Sequence, residues 1–307
     1  MIDLSIVIVN WNTREFLSRC LKAVYDTTSH LDFQVIVVDN GSTDGSQEMV
    51  QQAFPDVHLI ANQENLGFAG ANNQAIRHSQ GRYVLLLNSD AFVGENTIEQ
   101  MVAFMDAHPE AGMAGCKLRY EDGRLQPSCY SFPSLLTELW IATQLDKLFP
   151  KSPVFGKYRM TFWGYDNVRQ VDVILGAFML VRSTAITQVG LMDERYFMYS
   201  EEVDWCYRFK EKGWKIYFNP GVEAVHVGGG TTRQVRAEML VQMYRSRIDF
   251  FRKYHGRLQA MLLKLIIAFN CLLRLGPGAW FYFLSEKSHM RQKYQAFWQL
   301  LWALPTL

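Results

Sequence analysis

"LSIVIVNWNTREFLSRCLKAVYDTTSHLDFQVIVVD", residues 4–39, holds the reading that decides the fold. Its first six residues, 4–9, are apolar and largely β-branched, as in a strand buried on both faces. Phe16, Leu17, Cys20, Leu21 and Val24 then recur at helical spacing. "FQVIVVD", 33–39, reads as a second buried strand. Strand, helix and strand over about 35 residues make a βαβ unit, which predicts an α/β fold with a mostly parallel, doubly wound sheet. "VHLIA", 57–61, and "RYVLLLNSD", 82–90, predict two more strands, each after a helical stretch.

The residues that follow each strand carry the functional signal. They are Asn10-Trp11-Asn12, "DNGSTDGS" (39–46), "NQENLGFAGANN" (62–73) and Asn88-Ser89-Asp90. Open α/β sheets bind ligands beyond the carboxyl ends of their strands, so four polar clusters there describe one site. Residues 118–170 differ. Pro127, Pro133, Pro150 and Pro153 break the chain, which predicts an excursion over a cleft with a helix at 134–148. "VDVILGAFMLVRS", 171–183, returns to buried strand, and "WKIYFNPGVEAVHVGGG" covers 214–230.

Five cysteines without a C-x-x-C pair argue against a disulfide framework or zinc knuckle and for a reducing compartment. "MIDLSIVIVN" has an acid where a signal peptide is basic. The net charge of +1 hides an asymmetry: from Thr232 onward twelve Lys or Arg face three acids, leaving the first 231 residues at −8. Apolar runs in the tail, "LIIAFNCLL" (265–273), "LGPGAWFYFLS" (275–285) and "YQAFWQLLWALPTL" (294–307), fall short of a spanning length of about 18 residues. With Trp, Tyr and flanking cations they suit amphipathic helices at a membrane surface, or helices packed on the domain. The division expected is 1–257 (halves 1–117 and 118–257) followed by a basic, apolar segment, 258–307. No nucleic-acid recognition motif appears.

Asp39 ends a strand and enters a Gly/Ser turn, where its carboxylate can accept from a ribose or a nucleobase; the same letters also make an Asx-type turn. The first strand lacks the G-x-G-x-x-G that a dinucleotide needs, and no Walker loop is present. Asp90 ends a run too apolar to hold a carboxylate without a partner. A Mg²⁺ or Mn²⁺ ion facing a diphosphate is such a partner. His226, after an apolar strand and before glycines, is the best second ligand, although a lone histidine is also a common structural residue.

"SIVIVNWN", "VVDNGSTDGS", "NLGFAGANN", "LLLNSDAFV", "GAFMLVRS", "GLMDERYFMYSEEVDWCYR" and "AVHVGGG" stand in the order seen in family 2 glycosyltransferases. Over residues 3–255 the set resembles the bacterial rhamnosyltransferase-type branch, which builds cell-surface polysaccharide on lipid carriers. The resemblance implies a GT-A fold, a nucleotide-diphosphate sugar donor (dTDP-rhamnose favoured), a divalent metal and inversion at the anomeric carbon. It further implies a saccharide acceptor on a polyprenyl diphosphate, and a cytoplasmic protein peripheral to the membrane. By position Asp39 resembles the aspartate that contacts the nucleoside. Asn88-Ser89-Asp90 takes the place of the D-x-D motif, keeping only its last acid. Glu201-Glu202 matches the paired acids whose second member is the base, with Glu202 where aspartate is usual.

The residues support the same choice. If Ser200 caps a helix from Glu201, Glu202 shares a face with Cys206 and Phe209, while Glu201 sides with Trp205 and Arg208. Asp204 is placed to pair with Arg208 at i+4 in a solvated role. A cluster of acids is also what any helix start favours. Asn10, Asn65 and Asn73 are further donor-site candidates, and Asp193 belongs to the acceptor or to the loop that delivers the base. Two rivals remain at this level. A nucleotidyltransferase would need a Gly/Arg-rich loop after the first strand, and none is present. A non-catalytic sugar-nucleotide binder is allowed by the thinned D-x-D motif.

Overall fold

The computed structural model describes residues 2–228, 236–276 and 288–307. The chain forms two compact units: Met1–Phe132, Trp163–Phe197 and Glu201–Thr231 make the larger, and Pro133–Phe162, Met198–Ser200 and Thr232–Leu307 the smaller.

The larger unit opens with the expected βαβ: β1 (Leu4–Asn10), α1 (Arg14–Thr27) and β2 (Phe33–Asp39). α2 (Ser46–Ala53), β3 (His58–Ala61), α3 (Gly67–His78) and β4 (Tyr83–Asn88) follow. These four strands pair in parallel in the order β3-β2-β1-β4. Leu4, Ile6 and Ile8 are buried with Leu17, Cys20 and Leu21 of α1 on one side, and Val7 is buried on the other. Each such aliphatic side chain contributes about 1.5–3 kcal/mol on burial, which is why the run shows no polar alternation.

The chain continues through β5 (Ala91–Val93), α4 (Thr97–Ala107), β6 (Ala111–Arg119), β7 (Leu125–Gln126) and β8 (Cys129–Tyr130). After α5 (Leu135–Ala142) and α6 (Leu145–Leu148) of the smaller unit come β9 (Arg169–Gln170), β10 (Val173–Ile174) and β11 (Phe178–Arg182). α7 (Ser183–Val189), α8 (Glu201–Glu211) and β12 (Lys215–His226) complete the larger unit. The run 171–183 is two strands: β10 pairs with β8 in a separate small sheet, and β11 enters the main sheet. β11 runs antiparallel to both β4 and β6, and β12 runs parallel to β6. Two reversals restore the direction of β1. His226 at the end of β12 therefore lies on the same sheet edge as Asn10, Asp39 and Asn88.

In the smaller unit the helix expected at 134–148 is broken into α5 and α6 at Gln144, whose φ of 60° is left-handed. Ser134 caps α5, accepting from the Thr137 N–H at 3.3 Å. α9 (Arg236–Leu275) and α10 (Ser288–Ala303) pack together. α9 kinks at Gly256, φ 83°, a conformation that a Cβ would disfavour. Before the kink Ile248, Phe250 and Phe251 are buried, and buried Arg247 binds Glu138 and, at 2.6 Å, the Tyr158 hydroxyl. After the kink the tail's charges do not end the helix. Arg274 donates to Asn270 at 2.7 Å and lies over the Phe297 ring, so its charge is accommodated on the helix flank. The expectation that no tail segment reaches spanning length is corrected accordingly: by length and composition, Glu238–Leu275 is long and apolar enough to cross a membrane. The run 275–285 lies outside the described residues from 277 onward.

Candidate active site

One hydrogen-bonded chain of side chains joins the strand ends. Asn10 and Asp39 are paired neighbours in the β1–β2 register, and the Asn10 amide donates to Asp39 Oδ2 at 2.8 Å. Asp39 Oδ1 accepts from the Ser42 N–H at 2.8 Å and from Gln47 Nε2 at 2.7 Å. The Asp39 carboxyl group is fully buried, and three donors satisfy its oxygens there. The Asx-type turn is thus real, and the residue also faces the ligand edge of the sheet. Thr13 extends the chain, donating to Asn10 Oδ1 at 2.6 Å and meeting the Ser89 hydroxyl at 3.0 Å. Ser42 belongs to the Gly/Ser turn already singled out, whereas Thr13 and Gln47 carried no sequence signal of their own.

Asp90 and His226 meet. β5 pairs antiparallel with β12, setting Ala91 opposite His226, and His226 Nε2 lies 3.2 Å from Asp90 Oδ1. Asn88 Nδ2 approaches the same nitrogen at 3.4 Å. The other ring nitrogen, Nδ1, faces Gln126 Oε1 at 2.9 Å. An Nδ1–H donating to Gln126 leaves the Nε2 lone pair directed at the carboxylate. Two electron-rich atoms held that close favour a cation between or beside them. This donor set fits a divalent metal: one carboxylate, one imidazole, and a polar partner that fixes the tautomer of that imidazole. Among the described residues no three His, Cys, Asp or Glu side chains converge, so the remaining ligands of such an ion would come from diphosphate and water. Gln126 is the residue that sequence reasoning missed. It lies in a two-residue strand 100 positions from His226.

α3 serves the loop before α8. Asn73 Nδ2 donates to the Met192 carbonyl at 2.9 Å and to Glu194 at 2.8 Å, and Asn73 Oδ1 accepts from the Met192 N–H at 3.0 Å. Asn65 Oδ1 accepts from the Gly67 N–H at 2.9 Å and from Asn40 at 3.2 Å. Phe68 N–H donates to the Phe197 carbonyl at 2.8 Å. A Cβ on Gly67 would stand 2.2 Å from that carbonyl oxygen, so only glycine allows the approach. Asp193 accepts from the Arg195 N–H at 3.2 Å and pairs with its guanidinium at 3.0 Å, turning the same loop.

The loop delivers the acids of α8. Tyr199 and Ser200 both have left-handed φ, 66° and 67°, so Ser200 lacks the extended conformation usual for a cap. Consecutive non-glycine residues there store strain just before the glutamates. Glu201 is 5% exposed and Glu202 half-buried, the reverse of the faces expected. Burial, followed by the neighbouring charge of Glu202, pushes the Glu201 carboxyl well above the usual carboxylate range. The two carboxyls thus sit in unequal surroundings, Glu201 enclosed by protein and Glu202 the more accessible. Asp204 pairs with Arg208 at 2.8 Å as expected, but in full burial rather than in solvent. The reason is that Arg208 also binds the Val189 and Leu191 carbonyls, at 3.1 and 2.8 Å, and so buttresses the delivery loop.

The family model described as glycosyl transferase family 2 matches residues 5–163. The chain is 31% identical over 264 residues to the N-acetylglucosaminyl-diphospho-decaprenol L-rhamnosyltransferase of Mycobacterium tuberculosis, covering 82% of this chain and 85% of that one. It is 25% identical over 229 residues to the rhamnosyltransferase WbbL of Escherichia coli, covering 72% and 82%. Among solved structures, the mannosyltransferase PcManGT from Pyrobaculum calidifontis, in complex with GDP-Man and Mn²⁺, superposes with TM-score 0.55 at 17% identity, covering 100% of this chain and 88% of that one. GalNAc-T7 with UDP, GalNAc and Mn²⁺ gives TM-score 0.56 at 15% identity, covering 80% and 47%. At such identities these two establish the fold alone, and it is the GT-A fold. By sequence and by fold, the chain belongs to glycosyl transferase family 2 and is a glycosyltransferase.

Proposed function

We propose that the chain moves L-rhamnose from dTDP-rhamnose, or a closely related nucleoside-diphosphate sugar, to a saccharide carried on a polyprenyl diphosphate. The transfer inverts the anomeric centre and serves a cell-envelope polysaccharide, such as an O-antigen, capsule or cell wall. The protein works peripherally at the cytoplasmic face of the membrane. In this reading residues 1–257 carry the transfer and 258–307 the membrane contact. The observation that carries the chemistry is the Asp90–His226 pair, 3.2 Å apart at the sheet edge. The M. tuberculosis relative's name supports the sugar and the lipid-linked acceptor.

Asp90 and His226 would hold Mg²⁺ or Mn²⁺, with His226 aligned by Gln126. Held there, such an ion would supply positive charge to offset that developing on the diphosphate leaving group. Asp39, locked by Asn10, frames the nucleoside, and Asn88 adds a donor beside His226. Asn65 shapes the turn before α3 beside Asn40, and Asn73 holds the loop that leads to the acids of α8. The acceptor oxygen bonds to the anomeric carbon from the face opposite the diphosphate, and the carbon–oxygen bond to the diphosphate breaks with its electrons. The acceptor proton passes to Glu202. Glu202 is the more accessible of the two acids and holds the position that the family resemblance gives to the base, which favours it over the buried Glu201.

The test is a panel of nucleotide sugars with purified protein and Mn²⁺ or Mg²⁺, reading both donor binding and nucleoside-diphosphate release. Binding and release with dTDP-rhamnose, with release abolished by EDTA, is the expected result. If no nucleotide sugar binds, the reading fails.

A further inference from the structure

The smaller unit carries an apolar surface that its own fold leaves uncovered. Among the described residues, 13 of the 17 large apolar side chains that stand exposed belong to it. Seven of them lie on α9 after the kink: Leu258, Met261, Leu262, Leu265, Phe269, Leu272 and Leu273. Their spacing, i, i+3, i+4, i+7, i+11, i+14 and i+15, is one continuous helical stripe. Leu265 is 61% exposed. The opposite face of the same segment, with Leu263, Ile267 and Cys271, is buried, and α10 packs on this helix. α10 exposes Trp298 and Trp302 one turn apart, the latter by 77%. Exposed Arg252, Lys253 and Arg257 precede the stripe. A soluble surface seldom leaves an apolar stripe this long without a partner.

We propose that this stripe is the membrane contact of the protein: α9 beyond Gly256 lies in the plane of an anionic leaflet, with its apolar face in the acyl boundary. The inference rests on the peripheral membrane contact of the proposed function and assigns that contact to residues. Charge selects the occupant. The chain from Thr232 onward carries twelve cations against three acids, which complements anionic headgroups and opposes docking a second copy of the same basic surface. Two exposed tryptophans suit the headgroup boundary, where an indole ring has an apolar face and an N–H to hydrate. Lying in the plane is favoured over spanning by two features. Lys264 sits midway along the segment, half-buried. Buried Asn270 donates to the Tyr244 hydroxyl at 3.0 Å, so the inner face belongs to the folded unit. Crossing the bilayer would strip that face of its protein partners.

The test uses the full chain with vesicles of phosphatidylcholine, with and without phosphatidylglycerol. Wild type should float with the anionic vesicles and lose binding as salt rises. Leu265→Asp combined with Leu272→Asp should weaken binding by at least about tenfold, with circular dichroism and acceptor-free release of nucleotide from dTDP-rhamnose unchanged. Lipids brominated near the headgroup should quench the fluorescence contributed by Trp302, read against Trp302→Phe, more than lipids brominated at the chain ends. The proposal is overturned if the double variant binds as wild type does, if wild type binds no vesicle, or if quenching is strongest at the bilayer centre. It is also overturned if the stripe proves buried in a lipid-free dimer that the double variant dissociates. Vesicle binding needs neither donor nor acceptor. A protein that binds lipid and turns over no nucleotide sugar defeats the transfer reading and leaves this one standing.

Discussion

The sheet edge of the larger unit and the outer face of α9 break the same rule in opposite directions. At the edge, polar groups are buried: Asn10, Asp39, Asn73, Asp90 and His226 are all nearly solvent-free. On α9, apolar groups are exposed: Leu258, Leu265 and Leu272 face outward. Buried polar groups are costly unless paired, and the edge pairs them almost completely, through Asn10–Asp39, Asp90–His226–Gln126 and Asn73–Met192. The helix face has no such internal answer. Paired polar burial thus marks the candidate site, and apolar exposure marks the face proposed to meet a membrane.

The comparison can be broken at several points. Asp90→Ala removes the one carboxylate of the candidate metal pair and should lower transfer about a thousandfold, the scale of several kcal/mol of transition-state stabilisation. Gln126→Ala, which frees His226 to rotate, should weaken Mn²⁺ activation about 10- to 100-fold, read as the metal concentration at half-maximal rate. Activity in Asp90→Ala near that of wild type would remove the sheet edge from the mechanism.

Asn73→Ala sharpens the boundary between binding and positioning. Its amide makes three hydrogen bonds to the 192–194 loop. We expect kcat to fall about tenfold or more, from a misplaced base, with the donor KM within about twofold. A raised KM at constant kcat would show instead that Asn73 touches the donor.

Glu201→Gln tests the raised Glu201 carboxyl through stability. Below its ordinary value of 4.5 the Glu201 carboxyl is protonated folded or unfolded. As pH rises past that value the unfolded chain releases the proton while the folded chain retains it, so wild-type stability falls until the folded value is passed. The glutamine variant escapes this loss. Its melting temperature should match wild type in mild acid and exceed it in mild alkali. A variant less stable than wild type in alkali would mean that Glu201 is held ionised.

On the helix side, Leu265→Ser should change stability in lipid-free buffer by no more than about 0.5 kcal/mol, because most of its side chain stays in water in the folded chain. A larger loss would mean that the stripe is covered within the protein.

Much of the edge was legible because it obeys local periodicity. Apolar runs of six or seven residues locate the parallel strands, and polar residues directly after them locate the ligand edge. The Asp90–His226 meeting was legible too, since each ends an apolar run. Gln126 was not: a two-residue strand has no period, and its meaning comes from pairing β6, which brings it under His226. The direction of β11 was hidden for a related reason. A strand buried on both faces reads the same parallel or antiparallel, and only its register with β4 and β6 fixes its sense. The burial of Glu201 over Glu202 was hidden because Trp205, on the face of Glu201, is as fully buried as Cys206 and Phe209 on the face of Glu202. The exposed apolar stripe was split in the sequence by Lys264, which interrupts composition without interrupting a helix.

The most direct test of the central claim is rhamnose transfer from dTDP-rhamnose to a prenyl-diphosphate-linked saccharide by wild type and Glu202→Gln. Wild type should form product with inverted anomeric configuration. Glu202→Gln should bind the donor equally well and lose transfer by about 100- to 10,000-fold. Transfer by Glu202→Gln at the wild-type rate would contradict the account, because the charge on α8 would then have no part in the reaction.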